Sequence, residues 1–155
     1  MTIFRAPVAA DAAALAALVE GLNGHQGDPT GNFTAEKALR DVITPGAPLS
    51  CIVAEEAGRL TGFAFWHFAY EAAYAARGGF ITDLYVEETR RGSGLADALL
   101  RAAARRIKTD GGEYLWLTTH RTNERARAFY RKHMTEEGHV VVEFAAWDQF
   151  AALCG

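Results

Sequence analysis

The stretch RRGSGLADALL, residues 90–100, places two glycines and a serine between a pair of arginines and an apolar, alanine-rich run. The N-terminus of a helix binds phosphate through its unpaired N–H groups and the positive end of its dipole. Gly92 and Gly94 lack a Cβ, so they can adopt positive φ and turn successive N–H groups inward. Arg91 would add a charge-assisted hydrogen bond. The pattern predicts either an anion-binding loop or an ordinary strand-to-helix turn.

Two common phosphate-binding loops fit this stretch poorly. A P-loop needs the triplet Gly-Lys-Ser/Thr, which does not occur in the chain. A dinucleotide-binding fingerprint would have a small residue where Asp97 stands, and it usually follows an early strand. Here the loop comes after several predicted strands, so both alternatives are disfavoured.

Length and composition restrict the class of protein. A chain of 155 residues, half of them apolar, suits one compact domain, which we expect over residues 1–155. The net charge of −3 gives no basic surface for nucleic acid. Without a long apolar run or a signal-peptide pattern, we expect a cytoplasmic protein that does not bind membranes. Cys51, Cys154 and the five histidines show no metal-ligand spacing, so no metal site is predicted.

Turn residues and apolar periodicity divide the chain into strands and helices. The strands are predicted at residues 2–5, 50–55, 60–70, 80–87, 113–119 and 140–144 (VVVEF). The helices are predicted from Asp11, around 35–42, from Leu95 to the glycines at 111–112, over 123–132 and over 147–153. Within the strand at 80–87, alternation places Thr82, Leu84 and Val86 on one face and Asp83, Tyr85 and Glu87 on the other. This strand leads directly into the glycine loop.

The stretch GLNGHQGDPTGN, residues 21–32, is rich in turn-forming Gly, Asn, Asp and Pro. We therefore expect a mobile loop there, with a composition that suits a lid over a site.

Two stretches of the chain resemble sequence motifs of the GNAT superfamily of acetyl-CoA-dependent N-acyltransferases. RRGSGLA matches that family's Arg/Gln-x-x-Gly-x-Gly/Ala loop, with Arg91, Gly94 and Ala96 in the motif positions. TNERARAFYRKH is similar to its later Asn-x-x-Ala-x-x-Phe-Tyr helix, and the order of elements fits from residue 2 to about residue 144. The resemblance implies an α/β fold with a mixed, mostly antiparallel central sheet and helices on both faces. It also implies a V-shaped opening between the strands at 80–87 and 113–119, and a homodimer.

Within the superfamily the chain resembles the spermidine/spermine acetyltransferase branch. The shared stretches are ITDLYV, NERARAFY and the EEG at residues 136–138, and Asp83 keeps its match. Thr82 stands where that branch has an acidic residue, and His25 and Gln26 stand where it has a Tyr-Glu pair. The resemblance makes these three residues candidate acceptor contacts, while the lost carboxylates weaken the case for a polycationic acceptor.

The resemblance implies acetyl-CoA as the cosubstrate. A strand that splays from its neighbour exposes main-chain groups, so Leu84 and Val86 would pair with the pantetheine arm. Residues 92–97 would hold the pyrophosphate, with Arg91 as its main side-chain partner. The predicted coenzyme contacts are Leu84, Tyr85, Val86, Arg91, Gly92, Ser93, Gly94, Leu95, Ala96, Asp97, Asn123 and Ala126.

Acetyl transfer to an amine also needs proton transfer. Tyr130 would act as general acid toward the leaving thiolate, unless it is only a half-buried packing residue. Asn123 lies two helical turns earlier on the same side and would orient the pantetheine. Asp83, Glu87, His25 or a water relay could supply the general base.

The sequence therefore predicts an acetyl-CoA-dependent N-acetyltransferase. It would transfer an acetyl group directly to a primary amine of a small molecule. The alternative is a non-catalytic acyl-CoA-binding or sensing module with the same fold.

Overall fold

The computed structural model describes residues 1–154. Its five strands are Thr2–Arg5 (β1), Ser50–Glu56 (β2), Arg59–Glu71 (β3), Ala76–Val86 (β4) and Tyr114–Leu117 (β5). Its α-helices are Ala12–Gln26 (α1), Ala35–Ala38 (α2), Leu95–Thr109 (α3), Glu124–Tyr130 (α4) and Asp148–Cys154 (α5). A π-helical turn, Leu39–Ile43, continues α2. The chain divides into two compact units, Met1–Thr118 and the residues from Thr119 onward.

The five strands form one open sheet in the order β1-β2-β3-β4-β5. The first four strands pair antiparallel, and β5 pairs parallel with β4. The prediction of a mixed, mostly antiparallel sheet is therefore confirmed.

Helices cover both faces of this sheet. A Cβ on Gly62 would lie 3.5 Å from Leu99 of α3, whereas the next residue, Phe63, belongs to the core cluster that contains the buried side chains of α1. Because successive side chains of a strand point to opposite faces, α1 and α3 pack on opposite sides of β3. The predicted apolar repeat of α3 forms its buried stripe: Leu95, Leu99, Ala103 and Ile107 are all buried.

Strand β4 contains a bulge at Thr82. Phe65 of β3 pairs with Asp83, and Trp66 pairs with Ile81, so Thr82 has no partner in the register. An inserted residue of this kind bends a strand and re-aims the side chains on either side of it. Asp83 and Tyr85 share one face of β4, as predicted, and the register places this face on the α1 side with Phe65 and Phe63. Thr82 was predicted on the face of Leu84 and Val86, but it is the exposed bulge residue.

Strands β4 and β5 part halfway along β4. Their pairing begins at Gly78 with Tyr114 and ends at Ile81 with Leu117, while β4 continues to Val86. The V-shaped opening predicted between these two strands is present.

The predicted loop at residues 21–32 is wrong over its first six residues, because α1 continues to Gln26. Gly27, with φ 78°, caps the end of the helix. Leu18 and Leu22 are buried, with exposed fractions of 5% and 4%. Packing of this apolar stripe therefore maintains the helix through Gly21 and Gly24. Tertiary contacts have overridden the weak helix propensity of glycine.

The unit from Thr119 onward contains α4 and α5. Asn123 caps α4, as predicted, because its Oδ1 accepts a hydrogen bond from the Ala126 amide at 3.1 Å. The predicted strand VVVEF is wrong: residues 140–144 belong to no helix or strand, and Val140, Val141 and Val142 are exposed. The preference of valine for strands reflects packing against neighbours on a sheet, and no sheet includes this segment. None of the helices within residues 1–154 is long and apolar enough to cross a bilayer.

Candidate functional site

The glycine loop joins β4 to α3. After Val86 the chain makes a short 3₁₀ turn, Glu88–Arg90, and then passes through Gly92 and Gly94 with φ 77° and 82°. A Cβ on either glycine would meet nothing within 4 Å, so backbone conformation rather than space requires them. Ser93 Oγ donates to the Arg90 carbonyl oxygen at 2.6 Å and helps to close the turn. The predicted strand-loop-helix arrangement is confirmed.

The loop delivers the N-terminus of α3, a helix of 15 residues. Ala98 N–H donates to the Gly94 carbonyl oxygen at 3.1 Å, and the amides of Leu95 and Ala96 precede this first helical bond. Asp97 adds a negative charge in this first turn, but it is paired with Arg101 at 2.8 Å. The helix end therefore keeps its preference for an anion.

The two arginines before the glycines differ in their partners. Arg90 binds Glu56 at 2.8 Å. Arg91 makes no side-chain hydrogen bond or ion pair to any residue from 1 to 154, and its guanidinium lies 5.9 Å from the centre of the Tyr85 ring. The N–H donors of Arg91 are consequently available to a phosphate, which the planar guanidinium binds in a bidentate manner.

The last residues of β4 present an open main-chain edge. The Glu87 amide donates to the Thr61 carbonyl oxygen of β3 at 3.0 Å. Because hydrogen-bonding direction alternates along a strand, the N–H and C=O groups of Leu84 and Val86 face away from β3. On that side β5 has already ended, at Leu117. These groups can bind the amides of an extended ligand, as the sequence predicted for this edge.

Asp83 lies on the α1 face of β4 and is half-buried. Burial raises the pKa of its carboxyl above the ordinary value, the Asp28 carboxylate raises it further, and a hydrogen bond from Thr82 opposes the rise. A carboxylate with a raised pKa is a better proton acceptor, as a general base requires. Glu87, the other carboxylate predicted as a candidate general base, lies beyond the end of β4 and forms an ion pair with Arg59 at 2.7 Å.

The predicted acceptor contacts His25 and Gln26 lie in the last turn of α1 rather than in a loop. Both are exposed, as is Thr82. The sequence interpretation missed two other residues of this region. Asp28, just after α1, is coupled electrostatically to Asp83, and Gly21 lies against the Tyr85 hydroxyl. Gly21 carried a usable signal, since a glycine inside an apolar helical repeat often has a packing reason.

The remaining predicted residues belong to the second unit. Asn123 and Ala126 form the capped start of α4, and Tyr130 is its last residue. The Tyr130 ring makes an edge contact with Phe129 at 5.0 Å between centroids, and Tyr130 is half-buried.

The acetyltransferase (GNAT) family model matches residues 22–134, and the chain belongs to that family. The match includes both the glycine loop and α4. A search of curated protein sequences found no match.

Solved structures share the fold at low sequence identity. An integron cassette protein from the mobile metagenome of V. cholerae is similar at 18% identity and TM-score 0.83, covering 99% of this chain and 97% of its own. A ribosomal-protein-alanine N-acetyltransferase from Brucella melitensis biovar Abortus 2308 is similar at 20% identity and TM-score 0.74, covering 93% of this chain and 100% of its own. An aminoglycoside acetyltransferase from an uncultured soil metagenomic sample is similar at 16% identity and TM-score 0.79, covering 95% and 97%. These likenesses show the α/β GNAT fold.

The raised pKa of Asp83 predicts a pH-dependent effect on stability. Folding favours the protonated carboxyl, so its contribution is fully present below the ordinary pKa and is lost as pH rises through the folded pKa. Asp83→Asn replaces the carboxyl with an amide that does not ionise, so the variant does not lose stability at this position as the pH rises. The free energy of unfolding of the variant, relative to the parent, should therefore increase as the pH rises from the ordinary carboxyl pKa, about 4, through the higher pKa of the folded state. Urea unfolding of both proteins across this range measures it, and a constant difference would contradict the assignment.

Proposed function

We propose that this protein is an acetyl-CoA-dependent N-acetyltransferase that transfers an acetyl group directly to a primary amine of a small molecule. One observation carries the proposal: the unpaired edge of β4 at Leu84 and Val86 leads into a loop whose helix N-terminus and Arg91 suit an anion. A ligand with amides at one end and phosphates at the other matches this order. We further propose that residues 1–155 act as one domain, since the family match runs across the division at Thr118.

The coenzyme contacts follow from this order along the chain. Leu84 and Val86 would bind the pantetheine amides through the main chain, on either side of Tyr85. Arg91 and the amides of residues 92–97 would bind the pyrophosphate. From the family resemblance, Asn123 would orient the pantetheine, with Ala126 as a small neighbour on the same helix.

The proposed chemistry assigns two proton transfers to this chain. Acetyl-CoA supplies the activated thioester. Asp83 takes one proton from the ammonium group, directly or through a water, which leaves a neutral amine. As the N–C bond forms and the C–S bond breaks, the nitrogen loses its second proton to water and Tyr130 gives a proton to the sulfur. The raised pKa of Asp83 supports the first role. The second rests on the resemblance of α4 to the family's Asn-x-x-Ala-x-x-Phe-Tyr helix.

The acceptor would reach the α1 face of β4, where Asp83 and Asp28 concentrate negative charge. Aliphatic primary amines are cations at neutral pH, so this charge attracts them. Two structures of similar fold are named as acetyltransferases of aminoglycosides and of a ribosomal-protein alanine. The likeness of ITDLYV and NERARAFY to the spermidine/spermine branch supports an aliphatic amine. The absence of carboxylates at Thr82, His25 and Gln26 favours an acceptor with fewer positive charges than a polyamine carries.

A thiol-release assay separates this proposal from its rival, a non-catalytic acyl-CoA-binding module. Acetyl-CoA is incubated with polyamines, lysine analogues, amino acids and aminoglycosides. At least one class should release free thiol above the rate of hydrolysis. Tight acetyl-CoA binding with no release above hydrolysis across the panel would support the binding module instead.

Arg91→Ala should weaken coenzyme A binding. A charge-assisted contact contributes about 1.5–3 kcal/mol, so the dissociation constant should rise about ten- to a hundredfold. Isothermal calorimetry measures it. Arg105→Ala, an exposed arginine later on α3, is the matched control and should leave affinity unchanged. Equal affinities for the parent and Arg91→Ala would remove Arg91 from the anion site.

Tyr130→Phe should slow turnover while leaving coenzyme affinity nearly intact. General-acid assistance typically contributes ~10²–10⁴-fold, and we expect the lower end because a thiolate leaves readily without a proton. A hydroxyl that acts only in the transition state lowers kcat and kcat/KM together. A melting curve controls for stability, since phenylalanine retains the ring. Parent turnover across roughly pH 6 to 9 would make Tyr130 a packing residue.

We also propose that the protein is a cytoplasmic homodimer. Seven large apolar side chains between residues 140 and 153 are 61–87% exposed. Three of them are aromatic, and at ~150–250 Å² for each aromatic side chain the set approaches the ~800 Å² per partner of a standard interface. Sedimentation equilibrium should therefore give twice the mass of one chain, and a monomer would contradict the proposal.

The free thiol of the buried Cys51 supports the proposed cytoplasmic location, because the cytoplasm is a reducing compartment.

A further inference from the structure

Helix α1 contains a glycine in its interior, at Gly21. Glycine weakens a helix relative to alanine, so its presence there needs a reason. A Cβ at this position would lie 2.8 Å from the hydroxyl oxygen of Tyr85 and 3.3 Å from the Cζ of the same ring. Gly24, one turn later, differs because a Cβ there would meet nothing within 4 Å. Gly21 therefore provides the space that the Tyr85 phenol occupies.

The Tyr85 ring is held from two sides. Toward the core, the ring of Phe63 lies 6.2 Å away at 45°. Toward the helix, the hydroxyl reaches the backbone of α1 at Gly21. The ring also lies under the guanidinium of Arg91, 5.9 Å from its centre, within the range of a cation–π contact.

We infer that Tyr85 is a positioning residue for coenzyme binding: its ring holds the Arg91 guanidinium beside the glycine loop, and Gly21 makes room for the ring. The inference rests on the proposed function, in which Arg91 binds the pyrophosphate. An arginine without an acidic partner samples many rotamers, and ordering it on binding reduces affinity. An aromatic face restricts the side chain without occupying its N–H donors, which an acidic partner would do.

Four variants test this role by the dissociation constants of coenzyme A and of pantetheine, which lacks the phosphates. Tyr85→Leu removes the aromatic face, and Tyr85→Phe keeps the face but removes the hydroxyl. Gly21→Ala displaces the Tyr85 ring, and Gly24→Ala adds the same methyl group to the same helix where nothing opposes it. Arg91→Ala serves as the reference.

The aromatic face should matter only for the ligand that carries phosphates. Tyr85→Leu should weaken coenzyme A binding about two- to fivefold, as expected for a weak cation–π contact, with pantetheine unaffected. Tyr85→Phe and Gly24→Ala should bind coenzyme A like the parent. In the Arg91→Ala background, Tyr85→Leu should have no further effect, because the two residues act through one contact.

Gly21→Ala gives an independent test that leaves Tyr85 unchanged. It should weaken coenzyme A binding, and combining it with Tyr85→Phe should restore affinity, because the closest contact, with the hydroxyl oxygen, is then gone. A general loss of helix stability would not be rescued in this way.

Two outcomes overturn the inference and are distinguishable. If Arg91→Ala weakens coenzyme A binding but Tyr85→Leu does not, the positioning role fails and the proposed anion site stands. If Arg91→Ala itself has no effect, the proposed anion site fails and the role of Tyr85 fails with it.

Discussion

The structure depends on one constraint: beyond Ile81, strand β4 has a hydrogen-bonding partner on only one side. Main-chain N–H and C=O groups require partners, and those of Leu84 and Val86 face the opening that β5 leaves. A ligand that satisfies these groups must run along β4. Since β4 ends at Val86 and the loop to α3 follows at once, the far end of such a ligand meets a helix N-terminus. The strand edge therefore selects for an extended, amide-containing molecule with an anionic end.

The bulge at Thr82 determines which side chains accompany that edge. An inserted residue shifts the alternation of a strand, so every side chain before it changes face relative to those after it. Ile81 can therefore lie on the same face as Trp66 and Val86, toward α3, while Asp83 and Tyr85 face α1. The residues that can bind a ligand through the main chain therefore alternate along β4 with the residues whose side chains face α1. The Asp83 carboxyl and the Tyr85 phenol lie on the α1 face, and the residues that alternate with them, Leu84 and Val86, provide the open main-chain edge.

Local sequence signals predicted the five strands of the sheet, the glycine loop, α3 and the cap of α4, because each is encoded by residues close together in the chain. Gly92 and Gly94 show the positive φ that their place in RRGSGLA predicts. The errors occurred where distant contacts decide. Gly21 and Gly24 suggested a loop, but the packing of Leu18 and Leu22 keeps them helical. The valines at 140–142 suggested a strand, but no neighbouring strand pairs with them. The bulge and the coupling of Asp28 to Asp83 have no local signal, since both arise between separate segments.

The charges of the first unit match the charges of the proposed reactants. Around the glycine loop, Glu56, Glu87 and Asp97 are each paired with an arginine, and Arg91 has no acidic partner among residues 1–154, so the charge of Arg91 is available for phosphates. On the α1 face the charge is negative, because the half-buried Asp83 is repelled by Asp28 and is not paired with a cation. An approaching ammonium group would offset the repulsion between Asp83 and Asp28, whereas uptake of a proton by Asp83 would relieve both this repulsion and the cost of burying a charge. The negative charge of this face therefore favours binding of a cationic amine. The raised pKa of Asp83 favours transfer of a proton from that amine to the carboxylate, which leaves the nitrogen with the lone pair that attacks the thioester.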